Sequence, residues 1–256
     1  MKSHLLSLLL FLVAATAAAQ ELPSTDAVLT RAAAHGWRLR LGAGLGLGGT
    51  SPLPLPAEIR HINKYQPDLN FTLEGAVERQ LAPRWGLRLG LRFENKGMKT
   101  DARVKNYHME AINTEGTGAV VGAWTGNVKT EVSNNYLTVP LVATYKLSPR
   151  WQLSAGPYVA WMMSGHFSGE AYDGYIRDQD PTGEKAEVTR ATYNFSDRLR
   201  RFHWGVQAGG EYRAYEHLAV GLNLQWGLNG IFPSDFESVR FALYPIYANL
   251  MFHYIF

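Results

Sequence analysis

The chain has 256 residues and a net charge of only +3, with Lys and Arg dispersed among Asp and Glu. That balance leaves no basic stripe of the kind nucleic-acid binding requires. The absence of cysteine excludes disulfides, thiolate metal sites, a cysteine nucleophile and a lipidated N-terminal cysteine. One large strand-rich domain fits the length.

Met1 and Lys2 lead into an apolar run from Leu5 to Ala15, closed by Ala17, Ala18 and Ala19. This is the pattern of a cleavable secretory signal, residues 1–19, so the protein is expected to be exported. No later segment offers the roughly 18 consecutive apolar residues of a spanning helix. Any integral membrane form must therefore be made of strands. Residues 20–36 form a short N-terminal periplasmic segment with an Ala-rich patch and no assigned function.

From Trp37 the pattern changes to period two. Trp37, Leu39, Leu41, Ala43, Leu45 and Leu47 share one face, and Arg38, Arg40, Gly42, Gly44 and Gly46 the other. Gly44, Gly46 and Gly49 match a dinucleotide-binding spacing, but that motif must open a helix and Pro52, Pro54 and Pro56 follow. Glycines facing a crowded interior explain the row better. Gly48–Asp68 is expected to be a loop, followed by a second strand from Leu69 to Gln80 bearing Glu74 and Glu78. A tight turn at Ala82, Pro83 and Arg84 opens a third strand at Trp85, with Arg88, Arg92 and Glu94 opposite Leu87, Leu89, Leu91 and Phe93.

Gly97–Ser133 is read as irregular, and the fourth strand runs from Leu137 to Leu147. The turn and start of the fifth strand, SPRWQL at 148–153, nearly repeat APRWGL at 82–87, and the strand carries Trp151 and Trp161 on one face. A third loop, His166–Arg201, precedes the sixth strand, with Glu211 and Arg213 opposite Trp204, Val206, Ala208 and Tyr212. The seventh strand spans Leu218–Trp226. After a loop at Asn229–Val239 the last strand alternates without a turn residue after Pro245 to Phe256.

Eight strands joined by connections that alternate long and short predict an all-β fold. It is an eight-stranded antiparallel up-and-down transmembrane β-barrel, residues 37–256, with long extracellular loops and short periplasmic turns. Trp37, Trp85 and Trp151 beside the short turns, and Phe93, Trp161 and Trp226 near the far ends, form two aromatic belts. Trp151 and Trp161 are ten residues apart, roughly 25 Å of height at about 3.3 Å per residue and a tilt near 40°, the thickness of an apolar band. Lipid on the outside fits that spacing better than a soluble lipocalin-like barrel. The opposite face carries Arg38, Arg40, Glu74, Glu78, Arg88, Arg92, Glu94, Glu211 and Arg213, which can neutralise one another in a lumen narrow enough for side chains to fill.

The stretch 136–165, YLTVPLVATYKLSPRWQLSAGPYVAWMMSG, carries Tyr136-Leu137, Val139-Pro140-Leu141 and Gly156-Pro157-Tyr158. It resembles the PorT-like outer-membrane β-barrel family of Bacteroidota, as does the aromatic ending Tyr254-Ile255-Phe256. The resemblance implies integral outer-membrane location, roles suggested to be secretion-related for some members, and no shared catalytic site. Phe256 also resembles the aromatic signal read by barrel-assembly machinery.

Chemistry-bearing motifs are sparse. Asp178, Asp180, Thr182 and Gly183 open like a calcium loop, but Pro181 intrudes and Thr189 stands where the closing Glu belongs. Ser164 and His166 share a face without an orienting carboxylate in sequence, which is thin support for a lipid A deacylase-like enzyme. Arg60, Lys64, Lys96, Lys99, Arg103, Lys105, Arg198, Arg200 and Arg201 are expected as external-loop cations suited to lipopolysaccharide phosphates. The expectation is a non-enzymatic barrel without cofactor or metal. Its partners are outer-membrane lipid and lipopolysaccharide, the assembly machinery and a protein partner reached through the external loops.

Overall fold

The computed structural model describes residues 35–113, 119–178, 182–236, 238–239 and 241–256. The expected secretory signal and most of the 20–36 segment lie outside them, as does the centre of the calcium-like loop.

Ten strands form one sheet: β1 (Trp37–Pro52), β2 (Ile59–Pro67), β3 (Asn70–Gln80), β4 (Trp85–Asn113), β5 (Ala119–Lys146), β6 (Trp151–Asp178), β7 (Lys185–Asn194), β8 (Phe202–Arg213), β9 (Leu218–Gly227) and β10 (Leu243–Ile255). Eight of them close a ring in the order β1-β3-β4-β5-β6-β8-β9-β10, every pair antiparallel. β10 seals it against β1 from Arg40↔Ile255 to Pro52↔Leu243. Phe256 adds one more bond, its N–H donating to the Leu39 carbonyl at 3.0 Å. A closed ring leaves no sheet edge in hydrocarbon, where unpaired backbone groups are not tolerated.

The near-repeated turns close alike. The N–H groups of Leu81 and Ala82 donate to the Trp85 carbonyl, and those of Leu147 and Ser148 to that of Trp151, at 2.9–3.2 Å. The long connections differ from the expected loops. Gly97–Ser133 is almost entirely strand, because β4 and β5 run on as a paired hairpin of 29 and 28 residues. His166–Arg201 contains the upper half of β6, all of β7 and a 3-10 turn at Ser196–Arg198, and Gly48–Asp68 contains β2.

The physical reason is an inversion of polarity at the membrane rim. Outward positions of β4 are apolar through Leu87, Leu89, Leu91 and Phe93, then polar at Asn95, Lys99, Asp101 and Arg103. Inward positions change the opposite way, from Arg88, Arg92, Glu94 and Lys96 to Met98, Ala102 and Val104. Below the rim the outside faces lipid and the inside holds charge; above it the outside faces water and the inside is an ordinary core. That upper core includes Met98, Val104, Trp124, Val128, Val132, Phe167, Ile176, Val188, Tyr193 and Phe232.

Candidate functional site

The charged lumen is built by alternation: each strand presents every second residue inward, and one ring of strands brings distant residues to one level. Near the periplasmic end Glu78 accepts from Arg88 Nε at 2.8 Å, from Arg40 Nη1 at 3.3 Å and from Gln152 at 2.8 Å. Arg40 also pairs with Glu211. One level up, Arg92 Nε donates to Glu74 at 2.6 Å and Nη1 to Gln207 at 3.2 Å. The His253 ring sits between Glu211, at 2.9 Å, and Glu74, at 3.7 Å. Gly42 makes room for that imidazole, since a Cβ there would lie 2.4 Å from His253 Cδ2.

At the top of the charged zone Glu94 accepts from Lys96 at 2.8 Å, Thr138 at 2.7 Å and Gln225 at 3.0 Å. Lys96 Nζ lies 5.2–5.6 Å from the ring centroids of Tyr136, Tyr158 and Tyr247. These rings cap the charges by cation–π contact and begin the apolar core above. Four cations, Arg40, Arg88, Arg92 and Lys96, thus face four carboxylates, Glu74, Glu78, Glu94 and Glu211, all buried. Burying such groups is tolerated only because they are paired and hydrogen-bonded.

Of the nine lumen charges expected from sequence, seven meet in this network. Arg38 and Arg213, half-buried at the periplasmic mouth, form no ion pair among the described residues. Lys96, expected among the external-loop cations beyond the end of its strand, is instead buried in the lumen against Glu94, because β4 runs on past the expected end. Gln152, Gln207 and Gln225 stand on the polar faces that parity assigns and join the network as uncharged partners, as does Thr138, an inward residue of β5 that the same parity could have flagged.

Trp37, Trp85, Trp151, Trp161 and Trp226 all project outward and are 40–54% exposed, with Phe93 half-buried against Phe71. At the lower level Trp85 packs on Tyr145, Trp151 on Tyr212 and Tyr254 on Phe256, with centroids 4.8–5.1 Å apart. Arg79 lies over Trp37.

Above the rim, an outer ladder of alternating charge crosses the strands. Lys99 pairs with Glu131 at 2.8 Å, Lys129 with Glu170 at 3.0 Å, and Arg190 with Glu170. The Lys129 hydrogen bond first, then Arg190, hold the Glu170 carboxyl below its ordinary range. Burial pushes the Tyr193 phenol up, so it stays a neutral donor to the Lys129 carbonyl.

Ser164 accepts from Asn135 at 2.9 Å, whereas His166 contacts Ser168 at 2.8 Å and Ser196 at 3.4 Å. Among the described residues no carboxylate orients that imidazole. Arg200 is turned inward to the carbonyls of Gly230 and Phe232, at 3.2 and 3.3 Å, so the expected arginine trio does not present three free cations.

No curated protein resembles the chain closely enough to match. Among solved structures it is similar to Ail, the attachment invasion locus protein of Yersinia pestis, in complex with the heparin analogue sucrose octasulfate. That match has 10% identity, covers 86% of this chain and 99% of that chain, and has a TM-score of 0.39. It is also similar to Neisserial surface protein A, at 7% identity over 86% and 96% with TM-score 0.33. The outer membrane protease OmpT from Escherichia coli matches at 10% identity over 86% and 96%, TM-score 0.35. The family model described as outer membrane protein beta-barrel domain matches residues 18–233. With most of its length matched and a closed ring of strands, this chain belongs to the outer membrane protein beta-barrel domain family and is an integral protein of the outer membrane.

Proposed function

We propose that the protein is a non-conducting, non-enzymatic barrel of the PorT-like kind, with a structural, interaction or secretion-associated role carried by its extracellular sheet. The observation that carries this reading is the double closure of the interior. Neutralised ion pairs fill the lumen, and a tyrosine cap with an apolar core lies directly above them. An eight-stranded ring is about wide enough for its own side chains, so no through-passage remains and contact with macromolecules falls to the outside. The span Asn95–Asn113 of β4 rises up to roughly 45 Å above the rim at about 3.3 Å per residue and a tilt near 40°. It offers a protein partner a solvated face, and Arg198 and Arg201 remain exposed for lipopolysaccharide phosphates.

Planar-bilayer recording tests the closure. The purified protein is expected to give no discrete conductance steps, and reproducible steps would overturn the sealed lumen. Overexpression in an outer membrane should leave the lipid A mass spectrum unchanged; a new lipid A species would instead favour a lipid-modifying enzyme. Crosslinking from intact outer membranes, followed by pull-down, identifies the partner class.

A further inference from the structure

The ring is complete at the level of the membrane but not immediately above it. β3 stops pairing with β1 at Gly46↔Asn70, while β1 continues to Pro52 on its β10 side only. β2 takes over beside β4, from Pro67↔Met98 to Ile59↔Val104, and no backbone ladder joins it to β1 among the described residues. Between the segments Leu47–Pro52 and Ile59–Pro67 the wall is spanned by side chains instead. Tyr65 Oη donates to the Gly48 carbonyl at 2.6 Å across it, and behind β2 the Thr50 N–H reaches Met98 Sδ of β4 at 3.2 Å.

Behind this gap lies a cavity of about 310 Å³, walled chiefly by Met98, Val104, Val128 and Phe241, with Ile62 and Tyr65 at the mouth. Its volume is at the lower end of the roughly 300–1,000 Å³ of ligand sites, suited to one linear chain rather than a whole lipid. The mouth sits at the outer membrane rim, because Gly49 is level with Ile246 and, through it, with Trp226. Apolar surface continues from the lipid-facing band to the mouth through exposed Leu45, Leu47, Leu53 and Leu55. Exposed Arg60 and Lys64 stand on the flanking strand, where an anionic headgroup would rest.

The geometry points to a lateral binding site for a single acyl chain of an outer-leaflet lipid, entering between β1 and β2. Apolar continuity favours a chain that arrives from the bilayer over one from solution, and the hydrophobic effect supplies the driving force along such a path.

The test uses the full protein in vesicles of phosphatidylcholine and phosphatidylglycerol, the latter carrying a terminal diazirine on one acyl chain, with labelled residues mapped by mass spectrometry. Label is expected at interior Val104, Val128 and Phe241 as well as at lipid-facing leucines. It should be lost from the interior, but not the exterior, in Ile62→Trp, which blocks the mouth at an exposed position, and in Ala102→Trp, which fills the cavity. Heat-modifiable gel migration reports that each variant is folded. Label confined to outward residues of the wild-type protein would overturn the proposal, as would interior label unchanged in folded Ile62→Trp. Interior labelling by free diazirine-palmitic acid in micelles, without labelling by the vesicle lipid, would equally remove the lipid as occupant.

Discussion

Glu78 is the residue on which most of the lower lumen converges, since Arg40, Arg88 and Gln152 all donate to it. Replacing it with Ala leaves two buried guanidinium groups without that partner, and Arg40 must then rely on Glu211 alone. Removing one member of a buried pair costs about 3–5 kcal/mol, so Glu78→Ala is expected to lower unfolding stability in urea by that order. The double change Glu78→Ala with Arg88→Met should restore part of the loss. Parity alone placed Glu78, Arg88 and Arg40 inward from sequence, and it did so because the lipid-facing residues opposite them are uniformly apolar. Who pairs with whom was not legible. Arg40 meets Glu211 across 171 positions of sequence, a juxtaposition set by ring closure and stagger rather than by any local pattern.

At the scale of the element, the membrane halves of the strands were readable and their upper halves were not. Two physical features hid the latter. The polarity of the two faces inverts near Asn95 of β4, so a search for apolar residues on one parity finds the pattern dissolving although alternation persists. Val128 and Val132 remain inward and Lys129 and Glu131 outward. In β6 a bulge near Met163, where Asn135 pairs with Ser164 but Tyr136 with Met162, moves the inward set from Tyr158, Ala160 and Met162 to Phe167 and Ala171. One inserted residue exchanges every later side chain between faces. The last strand shows the converse case: long, unbulged and closed on β1, it was legible to its final residue. Deleting Phe256 removes the N–H bond to Leu39 and the ring against Tyr254. We predict slower insertion by the assembly machinery, measured as the folded fraction in outer-membrane extracts; normal insertion would count against a signal role for this residue.

For the whole molecule, two parts of opposite polarity share strands β4, β5 and β6: the closed ring in the membrane and the extracellular sheet that β2 and β7 extend. The lower is apolar outside and charged within, the upper polar outside and apolar within, and the plane between them carries Trp161, Trp226 and the tyrosine cap on Lys96. Continuous pairing of β4, β5 and β6 from membrane to extracellular space supports the reading of the upper sheet as the interacting part. The most direct test is a nitroxide scan of single-cysteine variants along β4 from Leu87 to Val104 in vesicles, comparing collision with oxygen and with a water-soluble nickel complex. The account predicts oxygen access at Leu87, Leu89, Leu91 and Phe93. Nickel access is predicted at Asn95, Lys99, Asp101 and Arg103, with Met98, Ala102 and Val104 shielded from nickel. Uniform nickel access and loss of the two-residue period beyond Asn95 would contradict it, because that is the signature of a solvated loop rather than a sheet of inverted polarity.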